Sequence, residues 1–270
     1  MPVADLEQSL SLTVAQLEHY RRDGYIILRG LLAPAEAELL INHFMALHAN
    51  PPREFYNPAS AEAAGGDPLL MYPRVMQPHR FDDLSRQYLL DPRIWTVLRQ
   101  LLDDEPVAAQ SMFYFKPAGA RGQALHQDNF YLHVRPGTCL AAWVALDVCD
   151  EENGGLTVVP NTQDLEVKCP TEADTTQSFV NHFVAPPDGK RAVPADMEPG
   201  DVLFFNGNVI HGSTPNRSQA RFRRSFICHY MAAADEAIAI HYKPLLNARG
   251  EVVERETADG GGPCGNELAI

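Results

Sequence analysis

The chain has 270 residues, 45% of them hydrophobic, enough to bury one sizeable core as a single domain over 1–270. Its 22 Lys and Arg against 35 Asp and Glu leave a formal charge of −13, which argues against a nucleic-acid partner because phosphate binding needs a basic face. The same acidity disfavours coenzyme A thioesters, whose phosphates normally meet basic side chains.

Thr13 to Gln16 is a capping-box pattern that starts a helix running toward Asp23, and Gly24 is its stop. Tyr25 to Leu28 reads as a strand. Pro34 opens a second helix, with Leu39, Leu40, Phe44 and Leu47 near helical spacing. Residues 50–68 hold four prolines and a Gly65-Gly66 pair, an irregular loop by composition. Asp91 to Leu102 looks helical. From Val107 onward short β-rich runs dominate: Ser111–Phe115, Leu140–Val148, Leu156–Val159, Val202–Phe205 and Phe222–Tyr230. Many short strands between turn residues predict two packed antiparallel sheets or a barrel, mainly β with flanking helices. Residues 163–200 are polar and proline-bearing, an insertion or lid. Residues 247–270 read as a mobile tail after a core of about 12–246.

Five cysteines (Cys139, Cys149, Cys169, Cys228, Cys264), odd in number and never spaced Cys-x-x-Cys, fit reduced thiols better than a disulfide framework or structural zinc. No stretch reaches the length of a membrane span, and the first residues lack the basic start and apolar run of a signal peptide. The last residues are not a peroxisomal address. The expectation is a cytoplasmic protein with a small-molecule substrate and neither nucleic-acid nor membrane partners. Its oligomeric state is left open.

The chemistry-bearing pattern is His126-Gln-Asp128, followed 85 residues later by His211. Two imidazoles and a carboxylate can occupy one face of an octahedral metal and leave three positions open, the arrangement of non-haem Fe(II) oxygenases. Side chains at i and i+2 of an extended segment share a side, so His126 and Asp128 can chelate one ion from a strand end. Phe204, Phe205, Val209 and Ile210 give an apolar approach to His211. The bland alternative is an electrostatic pair plus a core histidine. Substrate-side candidates are Tyr131, His133, Gln123, Asn206 and His79. Tyr131 and His133 could face the pocket only if the strand ends or bends after Asp128. Gln123 and Asn206 could instead orient the ligands.

At these residues the sequence resembles the phytanoyl-CoA dioxygenase family of Fe(II)/2-oxoglutarate oxygenases. Leu12–Gly30 resembles the family's opening helix and strand, Glu152-Asn-Gly-Gly-Leu-Thr-Val-Val-Pro160 the turn after its metal-binding segment, and Arg223–Tyr230 its closing strand. The resemblance implies a double-stranded β-helix, a jelly-roll and cupin-like core with helices on one outer face, and metal ligands His126, Asp128 and His211. It implies Fe(II), 2-oxoglutarate and O2 as cofactor and cosubstrates, with an arginine for the distal ketoacid carboxylate. Arg221, Arg223 and Arg224 compete for that place, and counting back from Cys228-His229-Tyr230 favours Arg223, whose planar fork suits a carboxylate. Trp143 and Met112 match cosubstrate-pocket residues, and Arg74 a basic residue at the pocket mouth. Pro160-Asn-Thr-Gln163 departs from the family's usual Pro-Gly-Ser-His. Asp128 is retained, whereas halogenating relatives lack that carboxylate, so oxygenation is implied.

The expected activity is oxidation of a small organic molecule (a lipid, amino acid or secondary metabolite), with release of succinate and CO2. Hydroxylation, desaturation, cyclisation and epimerisation all remain open. Rivals are a metal-dependent hydrolase using the same three ligands on zinc and a non-catalytic cupin-like small-molecule binding protein. The first leaves the arginine after His211 unexplained, and the second usually lacks a ligand.

Overall fold

A computed structural model of the chain describes residues 10–258. Thr13 caps the first helix, α1 (Val14–Asp23): its hydroxyl accepts from the Gln16 N–H, and the Gln16 side chain accepts from the Thr13 N–H. Gly24 ends the helix in the left-handed region at φ 80°, and β1 (Tyr25–Leu28) follows. Helix α2 (Pro34–Ala49) buries Ala37, Leu40 and Phe44. The stretch expected to be an irregular loop contains α3 (Ala61–Ala64), capped by Ser60, and leads into α4 (Pro68–Met71), capped by Asp67. Those two caps were the available signal, outweighed by the surrounding Pro and Gly. Next come β2 (Val75–Met76), α5 (Asp83–Leu89) and α6 (Pro92–Leu102), the latter two capped by Asp82 and Asp91.

Then follow β3 (Pro106–Tyr114), β4 (Gln123–His126), a helical turn α7 (Asn129–Leu132), β5 (Leu140–Ala145) and β6 (Leu156–Val158). The insertion contributes β7 (Thr171–Glu172), β8 (His182–Phe183) and β9 (Val193–Pro194). The chain continues with β10 (Val202–Asn206), β11 (His211–Ser213), β12 (Ser225–Ala232), β13 (Ala237–Ile238), β14 (Leu245–Leu246), β15 (Val252–Val253) and β16 (Glu256–Thr257).

The major sheet runs β1-β10-β5-β12-β3-β14-β15, with β2 also on β3, and the minor sheet runs β4-β11-β6-β9. Both are antiparallel throughout. This is the expected mainly β architecture, a jelly-roll core flanked by helices. The major strands are apolar on both faces, and all six residues of β5 are buried, because each face meets a separate core. Outward, Phe113, Val144, Phe204 and Phe226 pack under Leu40 and Phe44 of α2, with Phe44 stacked on Phe113 at 3.9 Å. Inward, Met112, Trp143, Phe205 and Ile227 face Leu156 and Val158 of the minor sheet. The site opens from this inner layer.

Two expectations need correction. Residues 247–258 are not a loose tail: β15 pairs with β14, and β16 pairs in parallel with β13, so short-range composition underrated long-range pairing. The rest of the expected tail lies outside the described residues. Cys169 is disulfide-bonded, whereas Cys139, Cys149 and Cys228 are free and buried. Spacing along the chain does not say which thiols meet in space. Among the described residues no helix is long and apolar enough to cross a membrane.

Candidate active site

Strands β4 and β11 are neighbours in the minor sheet, and their register sets the Cα of His126 directly opposite that of His211. Each imidazole is fixed by the carbonyl two residues before it. Nδ1 of His126 donates to the Ala124 oxygen at 2.8 Å, and Nδ1 of His211 to the Val209 oxygen at 2.9 Å. This hydrogen bonding assigns the protons to Nδ1 and leaves both Nε2 atoms as lone-pair acceptors, that of His126 facing the Gln123 amide. They converge on Asp128 Oδ1, at 3.3 Å from His126 and 3.5 Å from His211. One ligand atom from each residue lies within 4.8 Å of the others, and all three residues are buried. First-row ions bind such donors at about 2.1 Å, so adjacent octahedral ligands stand roughly 3 Å apart, and the trio fits.

Asp128 arrives differently from the expectation. Strand β4 ends at His126, and Asp128 has helical angles (φ −64°, ψ −35°) at the head of α7. The carboxylate therefore reaches the histidines from a helical turn rather than from the same face of one strand. That break answers the condition set for Tyr131, which lines the cavity; His133, left-handed at φ 53°, does not line it. Asp128 Oδ2 accepts from Nε2 of His229 on β12 at 2.9 Å. Burial by itself would raise the Asp128 carboxyl, but the neighbouring imidazoles of His211, His229 and His126, with the hydrogen bond from His229, outweigh it and hold the group well below the usual carboxylate range. Burial pulls His211 down to about 4, so its imidazole is neutral near pH 7, the form that ligates metal.

The triad opens into a cavity of about 270 Å³. A row across the major sheet forms its floor: Met112 and Trp143 both stand opposite Ile227. Arg223, 3% exposed, reaches the same cavity. Its Nε donates to the Gly154 oxygen at 3.1 Å and its Nη1 to Ser225 Oγ at 2.9 Å, and its guanidinium lies 5.2 Å from the Trp143 ring centre. No carboxylate pairs with it among the described residues. Arg221 instead pairs with Asp150 and Glu152, and Arg224 with Asp147. Tertiary structure thus separates three arginines that sequence spacing left in competition.

Lys116 is a buried cation that the sequence did not flag. Its ammonium donates to the Gly154 oxygen (2.8 Å), Ser213 Oγ (2.9 Å) and the Thr214 oxygen (2.5 Å). Burial and the neighbouring Arg223 charge hold its pKa well below the ordinary lysine range. A buried arginine lining a cavity with no matching carboxylate among the described residues, and with Lys116 behind Ser213, makes a receptor for an anion. Arg74 stands exposed at the mouth, donating to Tyr114 Oη at 3.1 Å beneath the Phe179 ring at 4.9 Å. Val180, Asn181 and His182, from the predicted insertion, also line the cavity.

Among the secondary candidates, Gln123 lines the cavity and its amide donates toward His126 Nε2 at 3.0 Å, so it must move aside for an ion. Asn206 Oδ1 instead accepts from the Asn208 N–H, and His79 is buried against Ser111 Oγ at 2.7 Å. Neither lines the cavity. The departure at Pro160-Asn-Thr-Gln163 is accommodated locally. Asn161 has φ 58°, a conformation asparagine tolerates better than most residues, and Thr162 Oγ1 accepts from the N–H of Ile210 beside His211.

A sequence profile described as phytanoyl-CoA dioxygenase (PhyH) matches residues 20–225, about three-quarters of the chain. The chain belongs to the phytanoyl-CoA dioxygenase family. With that membership it is a 2-oxoglutarate-dependent iron dioxygenase. Human peroxisomal phytanoyl-CoA dioxygenase is 26% identical over 261 residues, covering 91% of this chain and 74% of the relative. A rice relative, phytanoyl-CoA dioxygenase 1, is 28% identical over 141 residues, 52% of this chain and 50% of its own length. The epimerase SnoN from nogalamycin biosynthesis, solved with Fe3+, α-ketoglutarate and nogalamycin RO, shares the fold at TM-score 0.67 and 24% identity over 97% of both chains. EctD from S. alaskensis, solved with 2-oxoglutarate and 5-hydroxyectoine, does so at TM-score 0.64 and 22% identity, over 83% of this chain and 78% of its own.

Proposed function

We propose that this dioxygenase oxidises a small organic substrate using iron held by His126, Asp128 and His211 and 2-oxoglutarate anchored by Arg223. The observation that carries the reading is the pairing, in one cavity, of three convergent ligand atoms with a buried arginine that has no acid partner among the described residues. A guanidinium taken out of water without a counter-charge is costly, and a ligand carboxylate supplies the missing charge. Trp143 and Met112 would pack along the ketoacid, and Trp143 also holds the guanidinium face. Lys116 adds a second positive charge behind Ser213, and Arg74 draws anions to the mouth. Iron with the ketoacid and O2 supplies the oxidising chemistry, leaving succinate and CO2. The chain's residues bind, orient and exclude water.

His229 would fix the Asp128 carboxylate, and the carbonyls of Ala124 and Val209 the two imidazoles, so the ligand set is preorganised. The insertion over 163–200 would cover one side of the substrate entrance through Val180, Asn181 and His182. A zinc hydrolase gives Arg223 nothing to do, and a silent binding protein gives no reason for a complete triad. Anaerobic titration with Fe(II) and then 2-oxoglutarate tests the reading. A visible charge-transfer band that requires His126, Asp128 and Arg223 is expected, and bound metal without a band would overturn it.

A further inference from the structure

Arg223 and His229 are six residues apart along β12 and its lead-in. At a rise of ~3.3 Å per residue their backbones are roughly 20 Å apart, so they mark opposite ends of the cavity. The Arg223 end is taken by the ketoacid. At the other end four polar side chains are uncommitted. His229 uses Nε2 on Asp128, while its Nδ1 is buried with no partner. Gln110 stands directly opposite His229 on β3 and is 5% exposed, and its amide makes no hydrogen bond among the described residues. The hydroxyl of Tyr131, one helical turn past Asp128, is buried and unpartnered. Tyr242, also buried, lines the same wall and leaves its hydroxyl without a bond among the described residues. Buried polar groups left unpaired are costly, so Tyr131 Oη and His229 Nδ1 call for a ligand that pairs with them, and the Gln110 amide and Tyr242 hydroxyl line the same cavity with their bonding capacity unused among the described residues.

The character of the wall narrows that ligand. An amide and two phenols each donate and accept, the His229 Nδ1 accepts because Nε2 carries the proton given to Asp128, and none of the four is a carboxylate or an ammonium. Hydroxyl groups have the same double capacity. Size narrows it further. Pockets for drug-sized ligands run to roughly 300–1,000 Å³. This cavity of about 270 Å³ must hold the ketoacid as well. Building on the dioxygenase reading above, we propose that Gln110, Tyr131, His229 and Tyr242 bind the hydroxyl face of a compact polyhydroxylated substrate, a cyclitol or sugar-like ring, rather than an acyl chain.

Calorimetry on the full chain loaded anaerobically with Fe(II) and 2-oxoglutarate tests this. The probes are myo-inositol and methyl α-glucoside on one side, and hexanoyl-N-acetylcysteamine as an acyl thioester on the other. Saturable binding of a hydroxylated probe is expected, weakened about tenfold or more in Gln110→Leu and in Tyr242→Phe. Gln110→Leu should also melt at or above the wild-type temperature, since the amide it removes makes no hydrogen bond among the described residues, whereas loss of a structural hydrogen bond would lower it. Failure of both hydroxylated probes to bind overturns the proposal, as does thioester binding that the two substitutions leave intact. The charge-transfer band separates this from the reading beneath it. Band without probe binding sinks the substrate class alone, and probe binding without a band sinks the cosubstrate assignment alone.

Discussion

Arg223→Gln isolates the residue that distinguishes this site from a simple metal centre. The wild-type guanidinium can offer a carboxylate two parallel charge-assisted hydrogen bonds, worth about 1.5–3 kcal/mol each. A glutamine amide of similar reach keeps one neutral donor. A net loss of about 3 kcal/mol is therefore expected, which weakens 2-oxoglutarate binding by roughly two orders of magnitude. The effect on folding runs the other way. The substitution removes contacts to Gly154, Ser225 and Trp143, but it also removes a cation buried beside Lys116 without a counter-charge. Burial already pulls the Arg223 pKa down, a sign that the charged form is strained in the ligand-free protein. Thermal stability without ketoacid should be unchanged or higher. Anaerobic titration of the charge-transfer band gives the affinity, and calorimetric melting gives the stability. Wild-type affinity in the variant would refute the reasoning, as would a large loss of stability, which would make Arg223 a structural charge. Arg221→Gln is the control: its pairs with Asp150 and Glu152 lie at the surface, and ketoacid affinity should not change.

Asp128→Ala should cut Fe(II) affinity by more than ~100-fold with the circular dichroism spectrum retained, while His229→Phe should cost on the order of 10–100-fold through the loosened carboxylate; Co(II) absorption titrations read both. Gly154→Ala should destabilise the chain by at least about 2 kcal/mol, measured by urea unfolding. The glycine sits at φ +77°, and an added Cβ would lie 2.5 Å from the Thr214 oxygen and 2.7 Å from Lys116 Cε. Because the Gly154 carbonyl accepts from both Lys116 and Arg223, ketoacid affinity should fall with it. Acid should weaken the fold through His79, whose pKa burial lowers from 6.5 to about 4. Its contribution is complete above pH ~6.5 and is lost as pH falls toward 4, because only the unfolded chain takes up the proton in that window. The loss is on the order of 3 kcal/mol. His79→Asn should flatten the urea midpoint between those pH values, and an unchanged slope would remove His79 from the account.

The sequence by itself determined much of this protein. The opening capping box, the Gly24 stop and the run of short apolar strands announced the helix and the two sheets, because caps and hydrophobic periodicity are local. The candidate triad was legible because His-x-Asp and a distant histidine carry their chemistry in residue identity, and the fold brings the three residues' ligand atoms within 4.8 Å of one another. Tertiary structure decided the remainder. Three arginines within four positions are equivalent as text, and only burial and partners separate Arg223 from its acid-paired neighbours. That Asp128 approaches from a helical turn depends on where β4 ends, a boundary that local pattern marks poorly. Lys116, Gln110 and Tyr242 carried no motif, and they join the account only because long-range strand pairing brings their segments to the cavity and its anchor. Pairing of that kind is fixed by register and packing across the whole chain, which no window of sequence contains.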